Sequence, residues 1–238
     1  MTERIVIVGS GASGVHFAWT ALQKGRRVLM IDVGRRRSSE LVRPGDDFQA
    51  LKRNLEDPVK HFLGENHEAL ILPGHDGEYY GFPPEKSYVF ELVAPFRFQS
   101  QGFSPLFSFA AGGLAEAWTG GCYPFNDAEL AEFPFGYKRL APYYAEVARR
   151  IGISGEADDL ARFYPVHDHL QEALTLDEHS TRLLETYRRH RGTLNHSFGC
   201  YVGRSRVATL SRDLDERKAC SYTGRCLWGC PGLSLYTP

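Results

Sequence analysis

The chain has 238 residues with a formal net charge of −1 at neutral pH, and 42% of its residues are hydrophobic and 24% charged. A nearly neutral chain lacks the basic excess that favours nucleic acid or anionic membranes, and no apolar run reaches the roughly 20 residues of a membrane span. The composition predicts one large or two small globular domains. With five cysteines and no signal-peptide pattern, the expected compartment is the reducing cytoplasm.

The N-terminal segment predicts a β-α-β unit. Arg4–Val8 is rich in β-branched residues, which indicates a buried strand of a parallel sheet. Gly-x-Gly-x-x-Gly follows at once over residues 9–14, a helix is predicted over about residues 13–24, and a second strand over residues 27–31 ends in Asp32. This order is typical of a unit that binds an adenine dinucleotide.

Each glycine of this loop has a predicted role. Gly9 makes the tight turn, Gly11 lets the backbone approach a pyrophosphate, and Gly14 lets helix and strand pack closely. The pyrophosphate is expected at the helix N-terminus, where N–H groups and the helix dipole favour an anion. Asp32 is placed to accept hydrogen bonds from a ribose and would repel the 2′-phosphate of NADP. The arginines at 35–37 would attract that phosphate or form a solvated basic loop.

The next hundred residues carry weaker patterns. Apolar residues at spacings of three and four predict one helix from about residue 46 to residue 62. Turn residues dominate positions 64–102, apart from residues 88–93, which predict a strand. Residues 108–121 place four glycines around Trp118. That pattern predicts either a loop held close to a flat or bulky group, or a tight turn that packs the tryptophan into the core.

Helices are predicted further along the chain. A helix start is expected with Asn126 or Asp127 as its N-cap. An amphipathic helix is expected over residues 137–150, with a stripe that includes Tyr143. A more polar helix is expected from residue 168 to about residue 191, and its histidines, like His167 and His169, are expected to be solvated.

Three of the five cysteines lie within eleven residues, at Cys220, Cys226 and Cys230, and the last is followed by Pro231. Thiolates are soft ligands for iron or zinc, and clustered cysteines ending in Cys-Pro are typical of iron–sulfur sites. Three cysteines would suit a [3Fe-4S] cluster, whereas zinc would require a fourth ligand such as Cys200. The alternative is a buried turn in which the thiols pack as small apolar groups.

Three motifs together resemble the N-terminal part of the glucose–methanol–choline (GMC) type flavoproteins. They are Val-Gly-Ser-Gly-Ala-Ser-Gly at 8–14, the Gly112-Gly113 loop that leads to Trp118, and Cys226-x-x-x-Cys230-Pro. The resemblance spans residues 4–238. It implies an α/β fold: a Rossmann-like FAD-binding domain with an incomplete parallel sheet, plus irregular and helical segments of a second region. The implied division is an FAD-binding region at 1–155 and, at 156–238, the start of a cap or substrate-side region with the Cys-rich loop.

The family's FAD-binding positions can be carried over to this chain residue by residue. The ADP part would contact Gly9, Ser10, Gly11, Ala12, Ser13, Gly14 and Asp32, and the flavin would contact Gly112, Gly113, Ala115, Trp118 and Thr119. Family members often have Ser where Ala115 stands and Glu where Asp32 stands. Ala117 occupies the position of a flavin-linking His in pyranose-oxidase-like enzymes, so covalent attachment through that side chain is excluded.

The resemblance also implies an activity. Hydride would pass from the CH–OH group of an alcohol, sugar or polyol to flavin, and electrons would then pass to an acceptor such as a quinone, a cytochrome or an iron–sulfur cluster. Family members are much longer, with their catalytic His near the C-terminus. The catalytic residues are therefore expected beyond Pro238, and this chain is expected to be a fragment or one subunit of a split enzyme whose second chain carries the C-terminal half. The alternatives are an NAD-dependent oxidoreductase and a non-catalytic dinucleotide-binding or assembly subunit.

Overall fold

The structure is a computed structural model that describes residues 4–36, 47–70, 81–91, 93, 96–99, 101–103 and 105–238. These residues form a mixed α/β arrangement with two small parallel sheets and six α-helices. The chain divides into two compact units. The first unit extends to Thr119 and takes in Ser221–Leu233 and Thr237–Pro238, and the second comprises Gly120–Cys220 and Ser234–Tyr236.

The first unit begins with the predicted β-α-β order. Strand β1 is Arg4–Val8, helix α1 is Ala12–Gln23 and strand β2 is Arg27–Ile31. The two strands are parallel and in continuous register, from Arg4 beside Arg27 to Val8 beside Ile31. The strand, helix and strand expected from the sequence are therefore confirmed to within one residue.

The two faces of this sheet differ in burial. Ile7, on the face that meets α1, is 9% exposed, and Ile5, Val28 and Met30 on the same face are partly buried. The opposite face carries two adjacent pairs, Val6 with Leu29 and Val8 with Ile31. Their exposed fractions are 55% for Val6, 40% for Leu29, 85% for Val8 and 50% for Ile31. One apolar face of the sheet is thus open, although parallel sheets are normally covered on both faces.

The single helix expected over residues 46–62 is two helices, α2 at Phe48–Asn54 and α3 at Pro58–Leu63. The break has a local cause. The Asp57 carboxylate accepts a hydrogen bond from Lys60 N–H at 2.8 Å, so it caps a new helix whose first residue is proline. Proline fits the first turn of a helix but cannot continue one.

The strand predicted over residues 88–93 is wrong for the described part of that range. Pro84–Lys86 forms a 3₁₀ helix, and α4 follows at Ser87–Phe90. Residue 92 lies outside the described residues. Val89 is fully buried in a cluster with Ala110 and Ala117. Packing of Val89 against Ala110 and Ala117 therefore overrides the β-propensity of this short apolar run.

The second unit contains the longer helices. Helix α5 is Tyr137–Ile151, close to its predicted range, and α6 is Glu178–Phe198. Strands β3 at Ile153–Ser154 and β4 at Leu170–Gln171 form a parallel pair, and Asp159–Arg162 is a 3₁₀ helix.

The polar helix therefore begins about ten residues later than expected, because Asp177 rather than residue 168 caps it, accepting a bond from Ser180 N–H at 3.0 Å. At Asn126 the cap is present but no helix follows. The Asn126 side chain accepts bonds from the N–H groups of Ala128 and Glu129, and the chain continues as turns.

Two expectations about exposure in this unit are wrong. His167 is buried, with 8% of its surface exposed, where it stacks against Tyr144. Burial lowers the pKa of His167, against an opposing hydrogen bond to the Asp168 carbonyl. Tyr143, placed in the apolar stripe of α5, is 67% exposed.

The predicted division after residue 155 lies within the second compact unit, where β3 pairs with β4 and Ser154 also pairs with Val207. The assignment of an FAD-binding region to residues 1–155 and of a cap or substrate-side region to residues 156–238 stays a prediction. Among the described residues, no helix combines the length and the apolar character needed to cross a bilayer.

Candidate functional site

The glycine loop between β1 and α1 is a tight turn with a specific geometry. Gly9 has φ +95°, a conformation that favours glycine, and its N–H donates to the Ile31 carbonyl at 2.8 Å. Gly11 is the N-cap of α1 in an extended conformation. A Cβ atom at Gly14 would lie 2.3 Å from the Gly9 carbonyl oxygen. The turn at Gly9 and the close helix–strand packing at Gly14 are the arrangement that the sequence predicted.

The Gly112–Gly113 turn packs directly on this loop. The Gly112 N–H donates to Ser10 Oγ at 3.0 Å. A Cβ atom at Gly113 would lie 3.2 Å from Gly11 Cα, and one at Gly11 would lie 3.8 Å from the Gly112 carbonyl oxygen. The close backbone approach expected at Gly11 is therefore made, in this structure, by a second stretch of the same chain.

A short pairing after β2 holds that second stretch in place. Arg35 forms a parallel bridge with Ala110. Its N–H donates to the Phe109 carbonyl at 3.0 Å, and its carbonyl accepts from Ala111 N–H at 2.8 Å. The chain from 109 to 113 therefore runs from the end of β2 onto the glycine loop. Sequence reasoning proposed both motifs but had no signal for this contact, because it depends on the path of the intervening chain.

The carboxylate of Asp32 is bound by backbone donors of the loop. One oxygen accepts from Ser10 N–H at 2.5 Å and the other from Gly34 N–H at 2.6 Å. Partial burial raises the pKa of Asp32, but the bonds from Ser10 N–H, the Ser10 hydroxyl and Gly34 N–H outweigh it and lower the pKa below its ordinary value. Asp32 is therefore a carboxylate at neutral pH and orders the turn at the end of β2.

A cavity of about 560 Å³ opens beside this carboxylate. Charged and polar side chains lie on its wall together with backbone of the Gly112 turn. Tyr88 donates from its hydroxyl to Glu116 Oε2 at 3.0 Å, and the buried Lys86 ammonium donates to the Glu116 carbonyl. The lining residues are Ser10, Val15, Met30, Asp32, Gly34, Arg36, Tyr88, Ala111, Gly112, Glu116 and Pro238.

The cavity takes in part of the predicted site. Ser10, Asp32 and Gly112 line it, whereas Gly9, Gly11, Gly14 and Gly113 shape the loops behind them. Of the described residues predicted to lie near a flavin, Ala115, Trp118 and Thr119 are not in its lining, nor are Ala12 and Ser13 from the ADP set. Sequence reasoning did not assign Tyr88 or Glu116, and it considered Arg36 only as part of a basic stretch that would attract a 2′-phosphate or be solvated. Glu116 carried a signal, since it lies four residues after Gly112 in a loop already identified.

The N-terminus of α1 differs from those of three other helices. In α2, α3 and α6 an aspartate precedes the helix and accepts a hydrogen bond from a first-turn N–H. Helix α1 is preceded instead by Gly11, and its first turn contains no acidic residue. The first-turn N–H groups of α1 therefore meet no carboxylate of their own cap, which suits an anionic ligand.

The three clustered cysteines are not gathered as metal ligands. The described residues, which include all five cysteines, contain no group of three or more His, Cys, Asp or Glu side chains able to hold a metal ion. None of the five forms a disulfide. Among the described residues the side chains are therefore not arranged as the ligand set of a [3Fe-4S] cluster, and no step is derived through one.

An aromatic cluster accounts for the order of the segment around these cysteines. The Trp228 ring lies 5.0 Å from the Phe48 ring and 5.4 Å from the Phe62 ring, and its indole N–H donates to the Phe62 carbonyl at 3.4 Å. Phe48 N–H also donates to the Thr223 carbonyl at 2.8 Å. The C-terminal segment of the first unit is therefore held by packing on α2 and α3.

Comparison with known proteins relates most of this chain to a small part of a longer protein. No family model matches the chain. The chain is 30% identical over 184 residues to paromamine 6′-oxidase from Streptomyces fradiae. The alignment covers 75% of this chain but 28% of the relative, so the chain spans little more than a quarter of that protein's length. Over most of its residues the chain is therefore related to an oxidoreductase.

Proposed function

We propose that the first unit binds FAD and that the chain is the N-terminal, FAD-binding part of an oxidoreductase that acts on CH–OH groups. The observation that carries the proposal is the contact between the glycine loop and the Gly112–Gly113 turn beside Asp32. It brings the two motifs of the predicted cofactor site to one cavity, although they are about a hundred residues apart in sequence. The relationship to a protein named as an oxidase supports the same class of chemistry.

The residues present fit an adenine dinucleotide. The glycine N-cap of α1 leaves helix N–H groups to receive a pyrophosphate. Arg36, on the cavity wall, supplies a positive charge. Asp32 is ionised and retains acceptor capacity beyond its two backbone bonds, since a carboxylate can accept about four hydrogen bonds. We assign it to the hydroxyl groups of a ribose.

The part of the cavity lining formed by Tyr88, Gly112 and Glu116 also suits a ligand with hydroxyl groups. The Glu116 carboxylate is oriented by the Tyr88 hydroxyl, and both line the cavity with Gly112. Bound FAD would supply the acceptor for a hydride from the alcohol carbon. The part played by this chain is to bind and orient that group, with the Gly112 turn on the flavin side.

The substrate alcohol, the electron acceptor and the proton-accepting residue belong to the whole enzyme, which we propose includes further polypeptide. Two observations support this. The relative is much longer than the matched region, and Val6, Val8, Leu29 and Ile31 leave one face of the β1–β2 sheet open. Additional polypeptide, in the same chain or in a second one, would cover that face.

The test is titration of the purified chain with FAD and separately with NAD⁺, followed by calorimetry and by the absorption spectrum. We expect FAD to bind and to give flavin bands that stay with the protein, and NAD⁺ not to bind. Gly11→Ala sharpens the test. Its Cβ would be 3.8 Å from the nearest atom, the Gly112 carbonyl oxygen, an ordinary contact that the fold tolerates. The added methyl group would stand between the glycine loop and the Gly112 turn, the two elements against which FAD is proposed to bind.

A folded Gly11→Ala variant with much weaker FAD binding supports the site. Equal FAD affinity in the two proteins would remove the assignment of Gly11. Binding of NAD⁺ in place of FAD would instead favour a nicotinamide-dependent oxidoreductase.

A further inference from the structure

The Ser10 side chain joins two stretches of the chain that are 102 residues apart. Its Oγ accepts the hydrogen bond of Gly112 N–H at 3.0 Å, and its backbone N–H donates to Asp32 Oδ2 at 2.5 Å. Asp32 thus holds the Ser10 backbone, while a lone pair of the Ser10 hydroxyl oxygen holds the Gly112 turn.

Asp32 is itself fixed on both sides. Its two oxygens accept the N–H groups of Ser10 and Gly34 at 2.5 and 2.6 Å. A continuous series of hydrogen bonds therefore runs from Gly112 through Ser10 to Asp32, whose position Gly34 secures.

The Gly112 turn needs such an anchor. Gly112 and Gly113 have φ values of +92° and +64°, and consecutive glycines have access to many other conformations when nothing selects one. The Ser10 bond selects the conformation in which Gly113 lies against Gly11.

We propose that Ser10 is a positioning residue that couples the Gly112 turn to Asp32. The coupling to cofactor rests on the FAD site proposed above, whereas the hydrogen-bond series itself does not. The Asp32 carboxylate holds the Ser10 backbone by a charge-assisted hydrogen bond, and the Ser10 side chain in turn holds the Gly112 turn. A change at Asp32 that shifts the Ser10 backbone is therefore felt at the Gly112 N–H, with which Asp32 makes no direct bond.

The second unit offers a matched control. Ser180 donates to the Asp177 carboxylate from its N–H at 3.0 Å, as Ser10 does to Asp32, and also from its hydroxyl at 2.6 Å. Ser180→Ala removes a serine hydroxyl bond at the start of α6, which belongs to the second unit.

The first experiment measures amide hydrogen exchange of Gly112 in the full chain without ligand. Ser10→Ala and Asp32→Asn should each speed this exchange by about tenfold, and Ser10→Thr, which keeps a hydroxyl, should restore slow exchange. Ser180→Ala should leave it unchanged. Circular dichroism checks that each variant is folded. If Gly112 exchanges in Asp32→Asn as it does in the parent protein, the coupling is refuted, whatever Ser10→Ala does.

The second experiment compares the affinities of FAD and ADP. Because the Gly112 turn is assigned to the flavin side, Ser10→Ala should weaken FAD by roughly tenfold and ADP by less, while Ser180→Ala matches the parent protein. Failure of the parent protein to bind FAD would overturn the proposed function, and the exchange experiment would still decide the coupling. Equal losses for FAD and ADP would overturn the assigned role of Ser10 in placing the turn.

Discussion

Gly14 and Gly9 lie so close that a side chain at Gly14 has no room: a Cβ atom there would be 2.3 Å from the Gly9 carbonyl oxygen and 3.5 Å from Ile7 Cγ2. The first distance is to backbone, which cannot rotate away as a flexible side chain can. The close approach of α1 to β1 therefore depends on the absence of one methyl group, and the position of the glycine loop depends on the same contact.

Gly14→Ala should destabilise the first unit by about 2–4 kcal/mol, in the range of mutations that overpack a core. Gly192→Ala is the matched control, because Gly192 lies within α6 and a Cβ there would meet nothing within 4 Å. That change should stabilise the protein by about 0.5–1 kcal/mol through helix propensity. Urea unfolding of both variants checks the pair, and equal stabilities would contradict the packing described at Gly14.

Asp32 should contribute to the affinity for FAD. Asp32→Ala is expected to weaken FAD by about 1.5–3 kcal/mol, the range for hydrogen bonds to a charged group. Asp32→Asn should lose less because one acceptor oxygen remains. Titration calorimetry measures both. If both variants bind FAD as the parent protein does, the ribose role of Asp32 is wrong.

The pH dependence of the Asp32 contribution has a definite sign. Its pKa in the folded chain is lowered from 3.8, so the folded state favours the ionised form. The stabilisation is then fully present above the unfolded pKa and is lost as pH falls through the lowered folded pKa. Thermal unfolding of the parent protein and Asp32→Asn should differ by a constant amount between about pH 5 and pH 8, and the difference should shrink in stronger acid. A difference that grows in acid would reverse this sign.

The β-α-β unit was predictable because its signals are local. A β-branched run, a glycine loop, a helix and a terminal acid follow one another within about thirty residues, and each is decided by its neighbours in sequence. The break at Asp57-Pro58 also carried a local signal, an N-cap followed by proline. The apolar spacing of the flanking residues continues across this signal, however, and by itself favours a single helix.

The remaining features depend on contacts between distant residues. Tyr88 and Val89 have strand propensity, but Val89 is buried against Ala110 and Ala117 within a helical turn. His167 is buried beside Tyr144 of α5, a partner more than twenty positions away. The bond between Ser10 and Gly112 is of the same kind. Sequence patterns identified both ends of that contact but contained no information on their separation in space.

Arg206 should be essential for the stability of the second unit. It is 1% exposed and donates from its guanidinium to the carbonyls of Pro165 and Tyr164 at 2.6 and 2.8 Å. Arg206→Leu would leave both carbonyls without these donors and should cost about 2–5 kcal/mol. Arg182→Leu is the control, since Arg182 pairs with Glu178 on the surface of α6 and such pairs contribute at most about 0.5 kcal/mol. Denaturant unfolding that shows equal losses would contradict the structural role of Arg206.

The cysteines should not retain iron. Among the residues that the structure describes, Cys220, Cys226 and Cys230 belong to no ligand group, and packing of Trp228 on Phe48 and Phe62 orders the segment. Anaerobically purified protein should therefore contain well under one iron per chain, and Cys226→Ser should not change that content. About three irons per chain, lost in Cys226→Ser, would establish a [3Fe-4S] cluster instead.

The open face of the β1–β2 sheet should bind apolar probes. Val8 and Ile31 are neighbours on that face, 85% and 50% exposed, and contiguous exposed apolar surface marks an interaction site or an aggregation hazard. Replacing both with threonine keeps β-branched side chains in the strands while adding hydroxyl groups. The double variant should enhance the fluorescence of an apolar dye much less than the parent protein, with its unfolding temperature little changed.

Phe198→Thr is the control for that experiment, since Phe198 is 73% exposed at the end of α6, and a single exposed apolar side chain gives a dye little contiguous surface. Its dye fluorescence should stay near that of the parent protein. Additional polypeptide that covers the sheet should suppress dye binding by the parent protein. The same polypeptide should bind less tightly to the double variant Val8→Thr, Ile31→Thr, because part of the buried apolar surface is replaced by hydroxyl groups. Equal dye binding in the parent protein and the double variant would show that this face is not the accessible apolar surface of the chain.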